Sequence, residues 1–558
     1  MRLGPLRASR QAQWLLQSGA LPLNFRAWND DTTLMGTEVV ADMRAVGAKS
    51  QLLPGARRLL SPQRSLAWLE ARAMFVVATC AVVLLSLLGI PQHFSQDGWL
   101  ALVAGRQIAA HGIPHYDYFT HMAYGVRWVD QQWLAHLLMY ELERLGGLQL
   151  LTVFYVLLTG AAFAGGVAAA RALGGEDLNV LKALVPAAFF YLVTAVSIRT
   201  QGFAYPLFVT TLWLLAAEAR RERPGRRVYW VFPILILWGN LHGSATLGAG
   251  LVTLYGLTLL SAGIRNRDLS ALTNLRTWAF VVIPPLTLLV TPYGLSMVHY
   301  YRVTLLNPQF SRAVTEWKPI TSAPILAIPL LVVLTLTALT QLRAWWRART
   351  GQARSVPLYD ALVLAVLAVG AIMAVRNVTW LGLALMMLLP TAITRMQAGA
   401  AAPLRRSRLN LVLALTVVLL TVTTAMVIVT RPASWFTSTY PNRVVPQLET
   451  LVLSHPRATI FADVRYADWL IWENPGLFSG RVAYDTSLEL LSRTQLSAIS
   501  DPAAASASGR HGLLADYPIW LLYPTNRKLD RELLNRPEFH VIARDKKIII
   551  AARTRVAP

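Results

Sequence analysis

Eleven apolar runs divide this chain, at about 74–91, 148–171, 179–197, 203–218, 228–240, 245–263, 277–293, 323–341, 358–375, 378–394 and 409–430. A bilayer is crossed by about 17 to 25 mostly apolar residues in a helix, because only a helix satisfies its own backbone in hydrocarbon. The chain is therefore expected to be an α-helical polytopic membrane protein with about eleven transmembrane helices. Its charged residues make up 15% and its mean hydropathy is +0.44, against roughly 25% charged residues in soluble domains. The fifth and sixth runs are the least regular, since "WGNLHGS" (238–244) interrupts them.

The net charge of +23 is carried largely by arginines between the runs: "RRERPGRR" (220–227), "RNR" (265–267), "RAWWRARTGQAR" (343–354) and "RRSR" (405–408). Basic residues in short loops mark the cytoplasmic side. A cytoplasmic N-terminus and eleven spans place all of these clusters inside. The loop at 92–147, "RTQG" (199–202), "NLHG" (240–243), residues 294–322 and the C-terminal tail then fall outside. The charge thus reports topology and membrane lipid, not a nucleic-acid partner. Residues 1–72 are basic and lack the apolar core of a cleavable signal, so they are read as a cytoplasmic arm. Cys80 is the single cysteine, which excludes an intrachain disulfide and a cysteine-rich metal site.

The expected organisation is the arm at 1–72, a transmembrane domain at 73–430 and an extracytoplasmic α/β domain at 431–558. Within the outer loop 92–147, Leu100, Val103, Ala104 and Ile108 form one apolar helical face, and Gly112 and Pro114 end it. A second loop helix is expected over about 130–144, ended by Gly146–Gly147. Both are read as interfacial helices, with Trp99, Trp128 and Trp133 at headgroup depth. In the tail, "ATIFAD", "WLIW", "RVAYD", "YPIWLLYP" and "FHVIARDKKIIIAAR" read as short strands, and "SLELLSRTQLSAIS" as helix; "DPAAASASG" (501–509) reads as a flexible loop.

Asp97 stands where the chain has just left the first run. A short acid before an amphipathic helix is first of all an N-cap, a role that Ser95 also fits. The other reading is a general base at the membrane surface. His93, His111, His115, His121 and His136 place half of the ten histidines within 44 residues, but their spacing matches no metal motif. No metal ligand is assigned, and a divalent metal is not favoured. Arg199, His242, Arg302 and Arg376 lie at outer ends of runs, where arginines are the exception here. Snorkelling to headgroups is one reading. A planar fork for phosphate oxygens is the other. Glu316 and Trp317 in "VTEWKP" lie in another outer loop; an acid beside a tryptophan can hold a sugar by hydrogen bonds and ring stacking, but the pair reads first as a solvated loop.

The order "DGWLALVAGRQIAAHGIPHYDYFTH…VRWVDQQWLAHLLMYELERLGG" resembles the first outer loop of the GT-C type polytopic glycosyltransferases. "RTQGFAYPLF", "WGNLHGSATLG", "TPYG" and the tail "FADVRYADWLIWENP…RVAYD" carry the same likeness, from about residue 70 to the end. The resemblance implies a protein of the bacterial inner membrane. It would transfer a sugar from a polyprenyl-phosphate donor to a glycan, lipid or protein acceptor of the envelope on the outer face. Asp97 would be catalytic; Arg199, His242, Arg302, Arg376, Asp117 and His121 would bind substrate. Several members of the class place two adjacent acids in this loop, whereas Gln96 and Gly98 flank Asp97. That departure points to a base without a metal. The alternatives are a transporter or flippase for a lipid-linked or polar substrate, and a non-catalytic envelope-assembly protein.

Overall fold

The computed structural model describes residues 62–90, 94–267, 270, 273–305, 314–352, 355–397, 408–500, 516–524 and 533–554. The arm up to residue 61, His93, residues 405–407 and the loop 501–509 lie outside the described residues. Residues 69–558 form one compact unit.

Each predicted run is a helix. The first, α1 (Pro62–Leu88), is followed by α2 (Gln96–His111) in the long loop. Then come α3 (Trp133–Ala172), α4 (Asp177–Ala195), α5 (Ala204–Glu218), α6 (Val231–Leu241), α7 (Ala245–Arg265), α8 (Leu275–Thr287) and the short α9 (Ser296–Leu305). The last four runs are α10 (Pro324–Arg349), α11 (Leu358–Met373), α12 (Val378–Met396) and α13 (Arg408–Val429). Among the described residues, seven helices are long and apolar enough to cross a membrane, and the chain is a multi-pass membrane protein. The other four, α5, α6, α8 and α11, have 11 to 16 residues. The helix α8 ends six residues before its apolar run does. Pro284 and Pro285 remove two successive amide donors close to that end.

The long loop contains the two expected helices. The first ends at Gly112, whose φ of +83° favours glycine. The second is the start of α3. Gly146 and Gly147 leave helical geometry inside α3, with φ of +66° at Gly147, so the loop helix and the following span meet at a kink. An ideal Cβ on Gly105 would stand 2.2 Å from the carbonyl oxygen of His136; the missing side chain lets α2 cross α3 at backbone distance.

The tail adds α14 (Val445–Ser454), α15 (Val464–Glu473), α16 (Arg493–Ser500) and a four-stranded mixed sheet. Its strands are β1 (Ile460–Ala462), β2 (Ile519–Leu522), β3 (Phe539–Arg544) and β4 (Ile549–Arg553), in the order β1-β2-β4-β3. The pair β1–β2 is parallel; β2–β4 and β3–β4 are antiparallel. Alternate residues serve two cores. Ile519, Leu521, Ile550 and Ala552 join Trp99, Leu102 and Leu470. Trp520, Leu522, Ile549 and Ala551 pack with Tyr484 and Leu496. Both faces of β1, β2 and β4 are covered, which is why these strands read as unbroken apolar runs; β3 is the more exposed edge.

Three expectations change here. "WLIW" is helical, not a strand: the Asp463 carboxylate accepts the amide of Arg465 as an N-cap, and Tyr466, Ala467, Trp469, Leu470 and Ile471 form the buried face of α15. Trp99 and Trp128 do not present their rings to headgroups but are buried in protein. Trp99 has no exposed surface, with the Tyr440 ring 5.5 Å away edge-on, and Trp128 is buried against Phe119. The tail covers the long loop and replaces lipid as its apolar partner. "RVAYD" contributes isolated bridges in place of a strand. Val482 pairs with both Thr120 and Ile460, so the long loop is stitched to the edge of the C-terminal sheet.

Candidate active site

A cavity of about 700 Å³ gathers the ends of several elements. The first turn of α2 supplies Asp97, the turn after α4 supplies Arg199 and the break between α6 and α7 supplies His242. Glu316 and Trp317 come from the segment before α10, Arg376 from the turn into α12, and Thr486, Ser487 and Glu489 from the tail.

The N-cap position of α2 belongs to Ser95, and no side chain caps this helix. The Ser95 hydroxyl instead donates to the Ile198 carbonyl at 3.4 Å. Asp97 therefore does not cap. Its carboxylate is half exposed at the cavity, and its Oδ2 lies 3.5 Å from Nη1 of Arg199. The helix N-terminus adds a favourable field for a negative charge.

Arg199 is the buried centre of the constellation, its side chain 7% exposed. Its Nη1 donates to both carboxylate oxygens of Glu316 at 2.9 Å. Its Nε and Nη2 are buried without a hydrogen-bond acceptor among the described residues, a costly state for charged donors. Burial works against the Arg199 charge, but Glu316 and Asp97 more than offset it and hold the guanidinium protonated. Burial likewise pushes the Glu316 carboxyl up, and Arg199 and Arg376 together bring it below the ordinary carboxylate range. The Arg376 guanidinium lies 4.8 Å over the Trp317 ring. The Val375 amide donates to the Lys318 carbonyl at 3.0 Å, which ties the two segments together. Neighbouring residues 316 and 317 thus hold both arginines, one by charge and one by its π face.

His242 is extended, with φ of −163°, and so breaks the α6–α7 pair. Its Nδ1 accepts the Ser244 amide at 3.1 Å. Burial and then the charges of Arg376 and Arg199 push its pKa well down, leaving a neutral ring with its proton on Nε2. His136 also lines the cavity, its Nδ1 fixed at 2.9 Å by the buried carboxylate of Asp130. Burial raises the carboxyl of Glu489 to about 7.

The structure brings together Asp97, Arg199, His242 and Arg376 from the sequence reading. It does not bring in three others. Arg302 is exposed on α9 and does not line the cavity. Asp117 is buried in a turn, accepting the Phe119 amide at 2.9 Å and the Thr120 hydroxyl at 2.6 Å. His121 lies 2.9 Å from the Tyr517 hydroxyl. His121 thus secures the long loop to the tail, while Asp117 closes a turn within the loop itself. Glu316 read as a solvated loop and His136 as one of five clustered histidines without a role, and Glu489 was not singled out in the sequence. The acid–tryptophan pair at 316–317 was the one available signal. Among the described residues, no group of three or more His, Cys, Asp or Glu side chains has metal-binding geometry.

The structure of ArnT from Cupriavidus metallidurans in the apo state matches this chain with a TM-score of 0.50. The match covers 89% of this chain and 99% of that one, at 14% identity. The chain has the GT-C fold. ArnT from the same organism bound to undecaprenyl phosphate gives a TM-score of 0.47 at 14% identity, over 87% of this chain and 98% of that one. The oligosaccharyltransferase AglB from Archaeoglobus fulgidus, in complex with an inhibitory peptide and a dolichol-phosphate, gives 0.48 at 11% identity, over 84% and 70%. No family model matches the sequence, and no curated protein matches it. Identity this low carries the GT-C fold alone; the chemistry must be argued from the cavity.

Proposed function

We propose that this GT-C protein transfers a sugar from a polyprenyl-phosphate donor to an envelope acceptor on the outer face of the membrane. The observation that supports it most is Asp97 Oδ2 at 3.5 Å from Arg199 in one cavity. A half-exposed carboxylate can reach an acceptor hydroxyl, and a buried arginine beside it suits a departing phosphate. The acceptor oxygen forms a bond to the anomeric carbon while the bond from that carbon to the phosphate oxygen breaks. The hydroxyl proton passes to Asp97, and the electron pair leaves with the lipid phosphate, whose charge Arg199 and Arg376 stabilise. One displacement inverts the anomeric centre. Neutral His242 offers an N–H to the same anion. Residues 486–489 of the tail form the wall on which an acceptor rests.

A transporter would place charges near the middle of spans. The buried pairs Arg220–Asp360 and Arg276–Glu218 instead sit at span ends, which favours the transferase. The test is Asp97→Asn, assayed for sugar transfer from polyprenyl-phosphate donors in purified membranes. The variant keeps the shape and loses the base. We expect normal membrane levels and a loss of roughly 10²-fold or more. Full transfer by a well-folded Asp97→Asn protein would overturn the catalytic assignment.

A further inference from the structure

We infer that Glu316 determines specificity for the donor's anionic group: its carboxylate holds the guanidinium that the phosphate takes, so binding requires its displacement. The inference rests on the phosphate reading above and adds a competitor to it. Arg199 and Arg376 supply two positive charges around the cavity, Asp97 and Glu316 supply two negative ones, and Glu489, raised to about 7 by burial, adds no positive charge. This balance leaves no charge for a phosphodiester. A further anion beside four balanced groups would be buried without compensation, which is strongly unfavourable. One carboxylate must give way. Asp97 stands 3.5 Å from Nη1 on the firm first turn of α2. Glu316 binds the same nitrogen through both oxygens at 2.9 Å and sits on a single turn, Thr315–Trp317. Exchanging Glu316 for phosphate swaps one charge-assisted contact for another and restores the balance.

The exchange has a second effect. Trp317 rides on the same turn and covers the Arg376 guanidinium at 4.8 Å. Displacing Glu316 draws Trp317 aside and opens Arg376 to the same anion. A carboxylate is thus a built-in threshold. Lipids without an anionic head, or with one that pairs with arginine no better than a carboxylate does, cannot displace Glu316. A phosphodiester, whose two unesterified oxygens can bridge two guanidinium groups at once, can.

The test is equilibrium binding of undecaprenyl phosphate to the full chain in nanodiscs, with Glu316→Gln and Arg199→Gln beside the wild type. Glu316→Gln should tighten binding by about tenfold, the scale of one charge-assisted hydrogen bond. Arg199→Gln should weaken it by a similar factor. If Glu316→Gln weakens binding or leaves it unchanged while Arg199→Gln weakens it, Glu316 is no competitor, and the phosphate reading stands without it. If Arg199→Gln has no effect, the phosphate reading itself fails. Hydrogen exchange on the wild type gives a readout that needs no variant. The Val375 amide, bonded to Lys318, should exchange faster once undecaprenyl phosphate is added. Unchanged or slower exchange there would overturn the displacement.

Discussion

The backbone of Gly98 lies so close to Ile198 that a Cβ at residue 98 would stand 2.6 Å from the Ile198 carbonyl oxygen. This approach sets the distance between the two charges that define the site. Asp97 precedes Gly98, Arg199 follows Ile198, and the Phe94–Ile198 bridge fixes their register. Gly98→Ala should push α2 away from the 198–199 segment and separate Asp97 from Arg199 without altering either side chain. Overpacking of this kind costs about 1–3 kcal/mol. We expect a lower thermal midpoint in detergent and a loss of sugar transfer larger than the loss of folded protein. Gly250→Ala is the control, since its Cβ would meet nothing within 4 Å; its transfer should match the wild type.

A second contact holds the tail over the loop. Arg106, on α2, donates to the carbonyls of Ile471 and Trp472 at 3.0 and 3.2 Å, and its guanidinium lies 4.6 Å from the Trp472 ring centre. The carbonyls are the free acceptors at the C-terminal end of α15, where a cation is favoured. Arg106→Ala should loosen the tail by about 1–3 kcal/mol. Limited proteolysis should then cut the 431–558 region faster, while α1 to α13 stay intact. An unchanged cleavage rate would show that apolar packing alone holds the tail in place.

Span positions and the two loop helices were legible in the sequence because they rest on local signals: apolar length, and glycines such as Gly112 and Gly147 where a helix must stop. Arg199 and Arg376 were legible because the charge pattern made arginines at those ends unusual. Arg302 met the same criterion and stands outside the cavity, since the criterion gives the end of a span and not the direction in which a helix such as α9 turns its side chains. Glu316 read as a solvated loop because its partner lies 117 residues away. Asp117 closes a turn with residues two and three positions on, but the place of that turn depends on the Thr120–Val482 bridge, a pairing that no local pattern encodes. Trp99 looked amphipathic only because the tail that buries it is more than 300 positions distant.

Topology provides a third prediction. Asp97, Arg199, Glu316 and Arg376 share one cavity, so the loops that carry them share one side of the membrane. The arginine clusters at 220–227 and 343–354 belong to connections that alternate with those loops, and basic loops stay cytoplasmic. A reporter active only outside the cytoplasm should give signal when fused after residue 430 and none when fused near residue 225. The reverse pattern would put the cavity on the cytoplasmic face and exclude an outer-leaflet reaction.

The last prediction concerns pH, and it follows from two buried carboxylates of the tail. Asp468 and Asp485 are buried, and Oδ1 of the first and Oδ2 of the second have no hydrogen-bond partner among the described residues. Burial pushes Asp468 up to about 8, against the bonds it accepts from Thr486. Burial, then the charges of Asp468 and Asp117, push Asp485 well up as well. In the unfolded chain both return to an ordinary carboxylate value, about 3.9. The folded protein therefore binds more protons than the unfolded one between that value and about 8, and stability falls as pH rises through this window. We expect the thermal midpoint of the purified protein to decrease from about pH 5 to about pH 8. Asp468→Asn keeps the shape and the acceptor for Thr486 but cannot ionise, so it should flatten that decrease and raise the midpoint at the alkaline end. A variant with the wild-type slope would show that Asp468 does not carry the decrease.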